Sequence, residues 1–124
     1  MAIILAADDD AHTVRLLSMW LARNGHEVLE ACDGQAAREV LSETQVDLVV
    51  SDVNMPRLSG LQLVEWVRSE IGESLPMVML TSRCDQASMA AQLGRHGVCV
   101  LPKPFSPSRL VVEIERLLSV QTPG

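Results

Sequence analysis

Four short stretches of this chain are apolar almost without interruption: Ile3 to Ala7, Val46 to Val50, Met77 to Leu80 and Val98 to Leu101. Runs of four or five such residues are what strands need when helices cover both faces of a parallel sheet; a strand with one wet face alternates instead. A fifth stretch, His26-Glu27-Val28-Leu29-Glu30, is more polar, as suits an edge strand. Between these runs lie five segments of helical periodicity, roughly 11–24, 34–43, 59–71, 84–94 and 106–119. In the last, Leu110, Val111, Ile114, Leu117 and Leu118 recur at three- and four-residue steps and form one buried stripe.

Local chemistry marks the boundaries. Asn24-Gly25 is a stop signal for the first helix. Asp10 is expected to cap the first helix, Asp33 the second, and Ser106, followed by Pro107, the last. Five strands alternating with five helices predict an α/β fold whose parallel sheet is joined by right-handed crossovers. In open sheets of this kind, functional groups collect beyond the carboxyl ends of the strands, where the strand order reverses.

Composition narrows the class. The 124 residues are read as a single domain, with 120–124 a flexible tail or the start of a linker. Hydrophobic residues at 48% against 21% charged place the chain among globular rather than disordered proteins. A formal net charge of -6 argues against direct nucleic-acid binding. The apolar start runs straight into Asp8-Asp9-Asp10, with no basic leader and too few residues to span a membrane, so a cytoplasmic location is expected. Cys32, Cys84 and Cys99 are scattered and include no CxxC pair, which predicts reduced core thiols. Trp20 and Trp66 read as helix packing, and His12, His26 and His96 have no metal-ligand spacing.

The expected strand ends carry a consistent chemistry. Asp8 and Asp9 follow the first strand, Asp52 the third and Thr81 the fourth, while the fifth leads to Lys103, the only lysine in the chain. If the first and third strands are neighbours, Asp8 and Asp9 face Asp52. Carboxylates 4 Å apart repel by roughly 4 kcal/mol per pair at an effective dielectric near 20, so the cluster calls for a proton, solvent or a cation. Hard oxygen donors with room for water suit Mg²⁺. A carboxylate, a hydroxyl and a lone ammonium beside such an ion describe an aspartate that accepts a phosphoryl group.

The motifs Ile4-Leu5-Ala6-Ala7-Asp8-Asp9-Asp10, Asp47-Leu48-Val49-Val50-Ser51-Asp52-Val53-Asn54-Met55-Pro56, Met79-Leu80-Thr81-Ser82 and Lys103-Pro104-Phe105 stand in this order. With them the chain resembles the receiver domains of two-component response regulators, from Ile3 to about Leu118. The resemblance implies a flavodoxin-like (βα)5 doubly wound parallel sheet of strand order 2-1-3-4-5. It implies that Asp52 is the phosphoacceptor, charged by a phosphohistidine on a sensor histidine kinase or a histidine phosphotransfer protein. Asp9 and Asp52 would bind Mg²⁺ directly, Asp8 through water, and Asn54 through its backbone carbonyl. Thr81 and Lys103 would contact the phosphoryl oxygens. The product is a signal rather than a turned-over substrate, read by an effector protein or output domain. The face built from segment 84–94, the fifth strand and the last helix offers a docking or dimerisation surface. Two positions depart from the family's usual pattern. Val100 stands where an aromatic ring normally rotates on phosphorylation, and Arg83 follows Thr81 by two residues beside the acyl phosphate site.

Two rival readings fit parts of the chain. A degenerate receiver serving only as an interaction module would lack phosphorylation, although every acceptor-site residue is present. A Mg²⁺-dependent phosphohydrolase of the haloacid-dehalogenase type would use Asp8-x-Asp10, but His12 replaces its expected Thr or Val and no cap domain fits.

Overall fold

The structure, a computed structural model, describes residues 2–53, 55, 57–72, 74–81, 97–102 and 106–121. Within these residues lie strands β1 (Ile3–Ala7), β2 (Glu27–Ala31), β3 (Leu48–Asp52), β4 (Met77–Thr81) and β5 (Cys99–Pro102). The described helices are α1 (Ala11–Arg23), α2 (Gly34–Glu43), α3 (Gly60–Glu70) and α4 (Pro107–Gln121). All strand pairs are parallel, and the order β2-β1-β3-β4-β5 is the one the resemblance implies. The helix expected over 84–94 lies outside the described residues.

Strand alternation divides the core in two. Leu5, Val49, Met77 and Met79 point to one side, where Ala37 and Leu41 of α2 and Leu63, Val64 and Val67 of α3 cover them. Ile4, Ala6, Leu48, Val50, Val78 and Leu80 point to the other, beneath Leu17 and Leu21 of α1 and Leu110 and Ile114 of α4. The continuous apolar runs are thus explained, because both faces of the central strands are dry. The edge strand β2 keeps Glu27 and Glu30 exposed.

The third strand begins two residues later than its apolar run. Val46 is buried ahead of the strand, and the Asp47 carboxylate accepts the Ile3 amide at 2.8 Å, tying the start of β1 to the approach to β3. The strand runs on past the apolar run through Asp52, which is its last residue and pairs with Leu80. The caps form as expected. Asp10 accepts from the His12 amide at 3.0 Å, Asp33 from the Ala36 amide at 2.8 Å and Ser106 from the Arg109 amide at 3.2 Å. Gly25, at φ 86°, ends α1 with its amide on the Ala22 carbonyl, and the next amide reaches back to Leu21.

The thiol expectation needs correction. Cys99 is half-buried, but Cys32 is exposed, because β2 ends at Ala31 and the chain turns outward at the sheet edge before Asp33. His26 is a structural residue. Its Nδ1 accepts the Ala2 amide at 3.2 Å and its Nε2 meets the Glu115 carboxylate at 2.9 Å. Trp66 packs against the core with the Arg38 guanidinium 5.3 Å from its ring centroid, and Trp20 packs on the opposite face.

Helix α3 begins with a reciprocal cap. The Ser59 hydroxyl accepts the Gln62 amide at 3.2 Å, and the Gln62 side chain accepts the Ser59 amide at 2.9 Å. Ser59→Ala removes one of these bonds. It should cost about 1 kcal/mol, seen as a fall of roughly 4 °C in the thermal melting midpoint. An unchanged midpoint would show that this cap contributes nothing to stability.

Candidate functional site

The register of β1 against β3 builds the site. Ala7 pairs with Ser51, so the next residues, Asp8 and Asp52, leave the sheet side by side at its carboxyl edge. Oxygens of Asp8, Asp9 and Asp52 all lie within 4.8 Å of one another. Asp8 is 0% exposed and Asp52 7%, while Asp9 faces solvent. The cluster is therefore sunk into the edge and open on one side.

Backbone contacts fix these carboxylates in place. The Asp8 amide donates to the Ala31 carbonyl at 3.2 Å, and Asp8 Oδ1 accepts the Asp10 amide at 3.0 Å. Asp10 turns its own carboxylate away, onto the His12 amide and the Thr13 hydroxyl, which together hold its carboxyl below the usual range. Three adjacent acidic residues thus divide between two tasks, since the third caps α1 and the first two join Asp52.

At 4.8 Å, two carboxylates repel by about 3.5 kcal/mol at an effective dielectric of 20. Three partly enclosed oxygen donors with an opening to solvent fit a small hard dication that keeps several waters. They do not resemble a nitrogen- or sulfur-rich site, and Asp8, Asp9 and Asp52 are the one group of three or more metal-ligating side chains among the described residues.

Thr81 ends β4 and is fully buried. It pairs with Pro102, the residue before Lys103, just as Asp52 pairs with Leu80, the residue before Thr81. The described strand ends therefore step along one edge from Asp8 to Asp52 to Thr81 to Pro102. Asn54, Arg83 and Lys103 lie outside the described residues. Val100 is half-buried against the α2–α3 side of the core and pairs with Met79.

Two neighbours of Asp52 escaped the sequence reading. Ser51 is fully buried and its hydroxyl donates to the Asp52 carbonyl at 3.0 Å. Gly60 lies so close to that carbonyl that a Cβ there would collide with it. The available signals were a hydroxyl directly after an apolar strand run and a glycine directly after a serine at a helix start.

Comparison with known proteins identifies the architecture. The family described as the response regulator receiver domain matches residues 4–115. "Response regulator MprA" of Mycolicibacterium vanbaalenii is 38% identical over 120 residues, covering 97% of this chain and 52% of that protein. "Transcriptional regulatory protein GltR" of Pseudomonas aeruginosa is 35% identical over 116 residues, covering 93% of this chain and 48% of its own length. The chain thus spans about half the length of these curated relatives. Among solved structures, chemotaxis response regulator CheY4 of Vibrio cholerae superposes with a TM-score of 0.86 at 32% identity, covering 94% of this chain and 98% of that one. The Francisella response regulator 1452 receiver domain superposes with a TM-score of 0.90 at 25% identity, covering 98% and 100% respectively. A sheet ordered 2-1-3-4-5 that gathers three aspartates where its order reverses, matched by this family over nearly its whole length, makes the chain a member of the response regulator receiver domains of two-component signalling.

Proposed function

We propose that this chain is a working phosphoacceptor, taking a phosphoryl group on Asp52 from a phosphohistidine. The observation that carries the reading is the approach of Asp8, Asp9 and Asp52 to within 4.8 Å beside the buried Thr81. In the transfer, an Asp52 carboxylate oxygen attacks phosphorus, the P–N bond breaks and the imidazole leaves with the electron pair. Asp8, Asp9 and Asp52, with the Asn54 carbonyl, would hold Mg²⁺, which supplies positive charge beside the phosphoryl oxygens. Thr81 donates its hydroxyl to one phosphoryl oxygen and Lys103 pairs its ammonium with another.

Donor and reader follow from this chemistry. The donor is a sensor histidine kinase or a histidine phosphotransfer protein in the cytoplasm. The reader is a protein surface, or an output domain such as the extra length of the relatives would provide. Phosphorylation adds one to two negative charges at a half-enclosed edge and biases a two-state equilibrium. Val100 has no ring to rotate, so the change is carried by Thr81 and the segment that follows it. Phosphorylation-dependent dimerisation through the face of segment 84–94, the fifth strand and the last helix is the accompanying assembly. The protein performs its own phosphotransfer and slow dephosphorylation and does not turn over free phosphomonoesters. No helix among the described residues is long and apolar enough to cross a membrane.

Treatment with acetyl phosphate and Mg²⁺, followed by intact mass, should show one phosphate added to the wild type and none to Asp52→Asn. A wild type without an adduct would sink the reading in favour of a degenerate module, and steady release of phosphate from a phosphomonoester would favour a hydrolase. Mg²⁺ should also stabilise the fold, by about 2.7 kcal/mol at a hundred times its dissociation constant. The matching rise in melting temperature should vanish in Asp9→Asn; a wild type whose melting temperature ignores millimolar Mg²⁺ has no such site.

A further inference from the structure

The backbone carbonyl of Asp52 is gripped from two sides by residues that neither touch a phosphoryl group nor ligate a metal. On one side the Ser51 hydroxyl, fully buried, donates to it at 3.0 Å and lies 3.8 Å from the Met55 sulfur. On the other side the first residue of α3, Gly60, presses against it. A Cβ at Gly60 would overlap the Asp52 carbonyl oxygen and stand 2.6 Å from Met79 Cε and 2.7 Å from Val53 Cα. Met79 could swing its terminal methyl away, but the other two contacts are backbone, so the strand or the helix would have to move. The Gly60 amide donates to the Val53 carbonyl at 2.8 Å, and the Val53 amide to Leu80 at 3.0 Å, which pins the same turn to both α3 and β4.

We infer that Ser51 and Gly60 are positioning residues for Asp52, setting the height of its carboxylate against Asp8 and Asp9. The inference rests on the reading of Asp52 as phosphoacceptor and metal ligand. Ser51 and Asp52 are consecutive on a strand, so their side chains take opposite faces. The serine side chain thus points away from the carboxylate, and it acts through the Asp52 carbonyl, to which its hydroxyl donates. The Asp52 carbonyl and side chain hang from the same Cα, so a shift of that stretch of backbone would carry the carboxylate with it, and three like charges that are to share one ion would tolerate little movement. Partners one shell out from a metal ligand typically change affinity or activity by roughly tenfold or more when removed.

The test compares four variants of the whole chain, each read by Mg²⁺ titration calorimetry and by the rate of phosphate uptake from acetyl phosphate, well below its melting temperature. Ser51→Ala should weaken Mg²⁺ binding and slow phosphorylation, each by roughly tenfold. Ser51→Thr keeps the hydroxyl on a residue suited to strands and should restore both. Gly60→Ala should weaken both by pushing the carbonyl instead of releasing it. Ser59→Ala, which loosens the same helix without touching Asp52, should lower the melting temperature and leave both readings in place. Should Gly60→Ala fail to fold, the Ser51 pair still decides. Ser51→Ala at wild-type values overturns the inference, as does an equal loss in Ser59→Ala. A wild type that neither binds Mg²⁺ nor takes up phosphate sinks the phosphoacceptor reading itself; a wild type that does both beside an unchanged Ser51→Ala sinks the positioning role alone.

Discussion

Everything at the functional edge depends on the parallel pairing of β1 with β3. That one register, Ala7 opposite Ser51, forces carboxylates 44 residues apart in the chain (Asp8 and Asp52) into a space where each pair repels by about 3.5 kcal/mol. The repulsion is tolerable because the strands beneath are dry on both faces. Ile4, Leu5, Leu48, Val49 and Val50 are fully buried, and separating the strands would expose them. Each buried aliphatic side chain contributes roughly 1.5–3 kcal/mol, so a few of them outweigh the charge cluster. Hydrophobic burial thus holds three anions in an arrangement that they would not adopt unaided.

The aspartates of this chain show how position decides the use of one side chain. Asp10 and Asp33 stand one residue before a helix and cap it. Asp47 lies just before a strand at the opposite edge of the sheet and closes a gap by accepting the Ile3 amide. Asp8, Asp9 and Asp52 stand at or just beyond strand ends where the sheet order reverses. The side chain is the same in each; burial and the backbone amides within reach differ. At a helix start or a strand start the carboxylate becomes part of the frame; at the reversal of the sheet order three of them gather into one acidic cluster.

Much of the fold is legible along the chain because burial on two faces leaves a one-dimensional trace. Continuous apolar runs give the inner strands, three- and four-residue steps give the helices, and Asp10, Asp33 and Ser106 sit where caps must sit. The start of β3 is less legible, because Val46 is buried like a strand residue while still preceding the ladder. Cys32 misleads for a related reason. Its type favours the core, but the outward turn after the edge strand β2 leaves no second layer to cover it.

By itself the sequence determined the alternation of strands and helices, the likeness to receiver domains and the candidate groups at the strand ends, because each is carried by residue type and short-range spacing. Tertiary structure alone decided how closely Asp8, Asp9 and Asp52 approach and what holds them there. Asp10, exposed beside the buried Asp8, turns to the His12 amide and the Thr13 hydroxyl. Ser51 and Gly60 look unremarkable in sequence, yet both meet one carbonyl oxygen, Gly60 only because the start of α3 packs against the end of β3. Spacing along a chain encodes which face a side chain takes; the closeness of two backbones depends on every layer packed around them.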